Sequence, residues 1–178
     1  MYNEGKDRKG WFLVQIFRVS PNPNVSAEFL DNRRLSKQVL ELYQIIRVCL
    51  GELGAIQTGT GYRNHPVVKA VYNEGNPYLW GALEIMDAMN REHLRRGGNQ
   101  SEHFKNELAD LRQIVEEAVE EYQLSHAKLP PFYVEGKVRI EGDEAYELYQ
   151  KLLYKKWRND KIPPRCNINL KNKGERQK

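Results

Sequence analysis

Apolar residues recur at three- and four-residue steps along most of this chain, so the elements it predicts are mainly helices. The clearest case is the stretch from Leu30 to Arg47. Leu35, Val39, Leu42, Ile46 and Cys49 make one apolar stripe, while Arg34, Lys37, Glu41 and Gln44 recur along another side. A helix is expected from Asn24 or Ser26 to about Leu50, with a break near Asp31-Asn32, since both residues favour local side-chain bonds. Before it, Trp11 to Val19 is apolar and β-branched, either a short strand or an extended segment pressed into the core. Ser20-Pro21-Asn22-Pro23-Asn24 is a turn.

Gly51 to Gly61 carries four glycines and is expected to be a loop, without the lysine of a phosphate-cradling loop. Pro66 to Tyr72 fits a short helix. Asn76-Pro77 reads as a cap and first helical position, and Leu79, Leu83, Met86, Met89 and Leu94 continue to the Arg95-Arg96-Gly97 stop. Phe104, Leu108, Leu111, Val115, Ala118 and Tyr122 predict a helix over Ser101–Ala127. Phe132 to Ile140 is extended or hairpin-like. Asp143 is expected to cap a last helix from Glu144 to about Trp157. The expected fold is mostly α: a single compact helical domain of about five helices over 11–165, with a short extended N-terminal segment. A flexible arm (1–10) precedes it and a basic tail (166–178) follows.

Hydrophobic content of 40% and charged content of 29% in 178 residues place the chain among soluble globular proteins, with no apolar run long enough for a membrane span. Cys49 and Cys166 lie far apart, and neither they nor the four histidines show metal-ligand spacing, so no metal and no cofactor is expected. A reducing, cytoplasmic setting fits. The net charge of +4 is unevenly spread: Lys151–Lys178 holds ten basic residues against Asp160 and Glu175, leaving a net acidic remainder concentrated in Ser101–Gln123. Such asymmetry suits a basic face laid on a polyanion. Lys151, Lys155, Lys156 and Arg158 of the last helix are the expected phosphate contacts.

A second set of polar residues lies at element ends: Arg33, Arg34, Arg63, Asn64, His65, Arg95 and Arg96. Arginine forks fit phosphate oxygens, and asparagine can read a base edge. Tyr62, Tyr78 and Trp80 lie nearby in sequence and could stack on an unpaired base, although each alone is more often a core residue. Lys37 and Glu41 stand one helical turn apart, which is either a surface ion pair or an amine beside a carboxylate. Schiff-base chemistry, in which an amine attacks and a carboxylate steers protons, needs that second combination. A carboxylate among arginines is expected to stay ionised at neutral pH, which suits stabilisation of a cation.

Leu30-Asp31-Asn32-Arg33-Arg34-Leu35-Ser36-Lys37-Gln38, then Glu41, then Arg63-Asn64-His65-Pro66, then Leu94-Arg95-Arg96-Gly97 form an ordered set that resembles the pyrimidine-dimer DNA glycosylase (endonuclease V-type) family. The likeness covers roughly Ile16 to Gly97 and, more loosely, Ala145 to Trp157. It implies a compact all-α enzyme acting on damaged or modified pyrimidines in duplex DNA, with possible abasic-site lyase activity. It also implies Glu41 as the essential carboxylate and basic residues that hold a kinked duplex. In the family the nucleophile is the α-amino group of the second residue. Here about fourteen residues precede Gln15, near which the family's chain begins. The candidate amines are then Lys37, the amine of Met1 on a folded-back arm, or one exposed by a later start or by clipping. Two other readings stand beside the glycosylase: a non-catalytic nucleic-acid-binding protein on the same scaffold, and an enzyme or binder acting on a free nucleotide-like small molecule.

Overall fold

The computed structural model describes residues 14–59 and 61–166. The expected arm at 1–10 and nearly all of the tail at 166–178 lie outside the described residues. Six α-helices follow one another: α1 (Pro23–Phe29), α2 (Asn32–Leu53), α3 (Pro66–Tyr72), α4 (Leu79–Arg95), α5 (Glu102–Glu121) and α6 (Glu144–Asn159). A single hairpin, β1 (Phe132–Glu135) and β2 (Val138–Glu141), precedes α6. The mostly helical class expected from the periodicity is what the chain adopts. No helix among the described residues is long and apolar enough to cross a membrane.

α2 is the axis of the domain. Its stripe of Leu35, Val39, Leu42, Ile46 and Cys49 is fully buried, and it packs along α4, with α3 and α5 also against it. α1 lies on α4. The chain breaks between α1 and α2 because Leu30 turns extended (ψ 145°) and Asp31 caps α2, its side chain accepting from the Arg34 N–H at 3.1 Å. Val14 to Val19 is buried and extended without joining a sheet.

Three predicted boundaries move. The loop expected from Gly51 begins only after Leu53: Leu53 still packs on the core, and Gly54, at φ 83°, ends the helix. α4 starts at Leu79 rather than at Pro77, with no side-chain cap. α5 stops at Glu121, six residues short of Ala127. Gln123 takes the left-handed position (φ 54°), the Leu124 N–H reaches the Val119 carbonyl at 2.9 Å, and buried Leu124 seals the turn. This is the usual glycine stop made with a glutamine, hence invisible in the sequence. Asp143 sits at the α6 cap position but makes no side-chain cap bond.

Two close approaches set what the helices carry. Gly81 of α4 lies under the 127–129 segment, where a Cβ would fall 2.2 Å from the Leu129 nitrogen. Only glycine lets the chain cross there on its way to the hairpin. Arg96 closes the other side. Its five N–H groups donate to Glu92, to the Leu30, Ala27 and Glu28 carbonyls and to the Asn32 side chain, so α4 terminates the last turn of α1. Removing one partner of such a buried pair is costly. Arg96→Met is therefore expected to lose roughly 3 to 5 kcal/mol of stability, read as a lowered urea midpoint; a loss below about 1 kcal/mol would place this guanidinium among ordinary surface ion pairs.

Candidate active site

A cavity of about 280 Å³ opens beside the first three turns of α2. Arg33, Arg34, Lys37 and Glu41 come from α2, Gln15 and Phe17 from the extended segment, Tyr133 to Gly136 from the hairpin, and Leu152 and Lys156 from α6. Five expected site residues are thus brought together: Arg33, Arg34, Lys37, Glu41 and Lys156.

Glu41 is the buried acid of the cavity. The Lys37 ammonium stands 3.6 Å from it, on a side chain 48% exposed. Burial withdraws water from the carboxylate and outweighs the attraction of Lys37 and Lys156, pushing its pKa up from 4.5 to about 7. This corrects the expectation of a fully ionised group. The arginines that were to hold it charged are not what faces it: they spend their charge on aspartates.

Arg34 is buried and grips Asp160 with two bonds, 2.8 and 2.9 Å, while also donating to Asp31 at 2.9 Å. Arg33, half exposed, meets Asp160 at 3.1 Å. The Trp157 indole donates to Asp31 at 2.8 Å. Burial opposes the charge on Arg34, but the two aspartates overcome it and raise its pKa further. Burial likewise works against the Asp31 carboxylate, and the bonds from Trp157 and Arg34 still hold it below its usual range. The hydrogen bond from Arg34 does the same for Asp160. Asp31 and Asp160 were not among the sequence candidates. An acid at a helix cap and another eighteen residues before Lys178, among basic neighbours, carry no signal of their own.

A second network fixes the opposite wall. Gln38, without solvent exposure, accepts from the Phe17 N–H and donates to the Gln15 carbonyl, both at 2.8 Å. The Gln15 side chain donates to the Val134 carbonyl at 3.0 Å and accepts from the Tyr149 hydroxyl at 2.8 Å. Gln15, near which the family's chain is expected to start, therefore lines the cavity and is tied to α2, β1 and α6 together.

The other expected site residues lie elsewhere. Arg63 and Asn64 are exposed on the turn before α3. His65 is buried as the α3 cap, its Nδ1 accepting from the Val67 N–H at 3.2 Å. Arg95 is exposed and bound to Glu92 at 2.6 and 2.8 Å. Arg96, proposed from sequence for substrate, has all five donors committed within the protein, so its role here is structural. Lys151, Lys155 and Arg158 are exposed along α6, Lys151 within 4.0 Å of Glu147. Trp80 packs edge-on against His126. Among the described residues no three histidine, cysteine or acidic side chains gather as metal ligands would.

Because the folded pKa of Glu41 stands above that of an exposed glutamate, the folded state holds its proton more tightly. Its stabilising effect is complete below about pH 4.5 and is lost as pH rises towards 7. Glu41→Gln removes the buried charge. The variant's stability relative to the parent is expected to grow between pH 5 and pH 8, by up to about 3 kcal/mol, in urea titrations at both values. A difference independent of pH would show that Glu41 is solvated.

A family model described as pyrimidine dimer DNA glycosylase matches residues 14–106, more than half of the 178-residue chain. The match takes in α1 to α4 and the whole α2 contribution to the cavity, while the hairpin and α6 lie beyond it. Comparison with curated proteins found no match, nor did comparison with solved structures. On a match that spans the buried carboxylate, its lysine and the glutamine opposite them, the chain belongs to the pyrimidine dimer DNA glycosylase family.

Proposed function

We propose that this protein is a DNA glycosylase with abasic-site lyase activity, working inside the cell on damaged or modified pyrimidines in duplex DNA. The observation that carries the reading is Glu41, a carboxyl group poised near pH 7 inside a cavity whose mouth holds Arg33, Lys37 and Lys156. A carboxyl so placed can give a proton and take one back at neutral pH. The cavity has room for one extruded base or sugar, and the cations at its mouth suit flanking phosphates.

Lys37 is the amine we assign. The Lys37 ammonium first passes a proton to the Glu41 carboxylate beside it. The neutral nitrogen then attacks C1′, the bond from C1′ to the base breaks with its electron pair going to the base, and protonated Glu41 gives that proton to the leaving base. A proton then passes from the new C1′–N group to O4′ as the sugar ring opens, leaving a protonated imine. The Glu41 carboxylate now faces that cation and removes a C2′ proton, and the C3′–O bond breaks with the 3′ phosphate as leaving group. Arg33, Lys151, Lys155, Lys156 and Arg158 would hold the backbone nearby, with Arg63, Asn64 and Arg95 farther out.

Borohydride reduction of the protein with abasic duplex DNA, followed by peptide mapping, is expected to give a crosslink at Lys37. A crosslink at another amine overturns Lys37 and leaves the lyase reading intact; no crosslink and no base release overturns the reading. Glu41→Gln is expected to lower turnover by about 100-fold or more at nearly unchanged duplex affinity. Lys156→Ala should weaken binding to all duplex sequences alike and reduce the salt slope by about 1.

A further inference from the structure

The hairpin supplies part of the cavity wall, and its tip has a feature that packing does not explain. Strand β1 is buried from Phe132 to Val134, with Tyr133 against Tyr149 and Val134 held by Gln15, and Glu135 is exposed. Strand β2 is largely exposed. The register pairs Glu135 with Val138 and Tyr133 with Ile140. Directly paired residues share a face of the sheet. Val138 thus lies on the same face as Tyr133 and Glu135, which line the cavity. It is 61% exposed, the most exposed large hydrophobic residue among those described.

The tip is short. Gly136, at φ 60°, begins a two-residue turn, Gly136-Lys137, of the kind that matches strand twist. At the base, the Gly142 N–H bonds to the Pro131 carbonyl at 3.0 Å, closing the hairpin. Lys137 stands beside Val138, and Arg33 and Lys37 lie across the cavity. An apolar side chain at a hairpin tip, beside Lys137 and its cross-strand partner Glu135 and next to a base-sized cavity, matches what duplex DNA needs where a nucleotide has left the stack. Apolar wedges of this sort are inserted between base steps and prop them apart.

We infer that the β1–β2 hairpin is a DNA wedge: Val138 enters the stack beside the lesion and occupies the gap left by the nucleotide extruded towards Glu41, while Lys137 meets the adjoining phosphate. The inference rests on the glycosylase reading and adds the element that opens the duplex. It assigns a role to a hairpin outside the family-matched span.

The test compares Val138→Ser and Val138→Leu with the parent on two duplexes, one carrying a pyrimidine dimer and one an abasic site, with 2-aminopurine beside each. An exposed residue can be changed without disturbing the core. Val138→Ser is expected to release the damaged base on the order of tenfold more slowly, to lose the 2-aminopurine fluorescence rise on the dimer duplex, and to cut the abasic duplex at the parent rate, since no base must be expelled there. Val138→Leu should restore base release. Equal rates for serine variant and parent on the dimer duplex, with the parent active, overturn the wedge alone. Equal slowing on both duplexes also overturns it, pointing to general duplex contact. A parent that neither releases base nor cuts brings down the glycosylase reading together with the wedge.

Discussion

The carboxylate of Asp31 is the joint on which the domain turns. One oxygen accepts from the Arg34 N–H and starts α2; the other meets the Arg34 guanidinium and the Trp157 indole. A single short side chain thereby begins the central helix and docks the last one, 126 residues away, against it. Asp160 completes the arrangement from α6, taking both forks of Arg34. Two acids balance one buried cation and most of a second. That balance is what such a cluster requires, since an unpaired charge at this depth would cost several kcal/mol.

The pairing has an electrostatic effect on the cavity. With Arg34 neutralised by its aspartates, the cations that Glu41 faces among the described residues are Lys37 and Lys156, and burial decides its proton affinity. The same α2 surface therefore carries an arginine kept for architecture and a glutamate left in an unusual protonation state. On the far side, the Gln38–Gln15–Tyr149 bonds keep the extended segment and the hairpin at a fixed distance from that glutamate. Buried amides with every partner met make stiff walls.

Much of this was legible in the chain before folding. The spacing of Leu35, Val39, Leu42 and Ile46 announced α2 and its buried face, and the turn residues announced most element ends. The ordered motifs picked out Glu41 and Lys37 together. What could not be read was reach across the chain. Nothing near Asp160 says that it will meet Arg34, and nothing in Phe132–Glu141 says that it will wall a cavity opened by α2. Arg33-Arg34 and Arg95-Arg96 look alike as basic pairs. In each pair one arginine is buried among acceptors and the other stays at the surface, a distinction that only tertiary packing makes. Sequence also missed that burial would outweigh nearby cations at Glu41, because desolvation has no local signature.

The cavity is built from two stretches of chain about a hundred residues apart, α2 on one side and the hairpin with α6 on the other. Neither half encloses anything alone. The raised proton affinity of Glu41 is therefore a property of the closed domain and of neither half: with α6 lifted from Asp31 the second wall is gone, and Glu41 returns to water as an ordinary carboxylate beside a lysine.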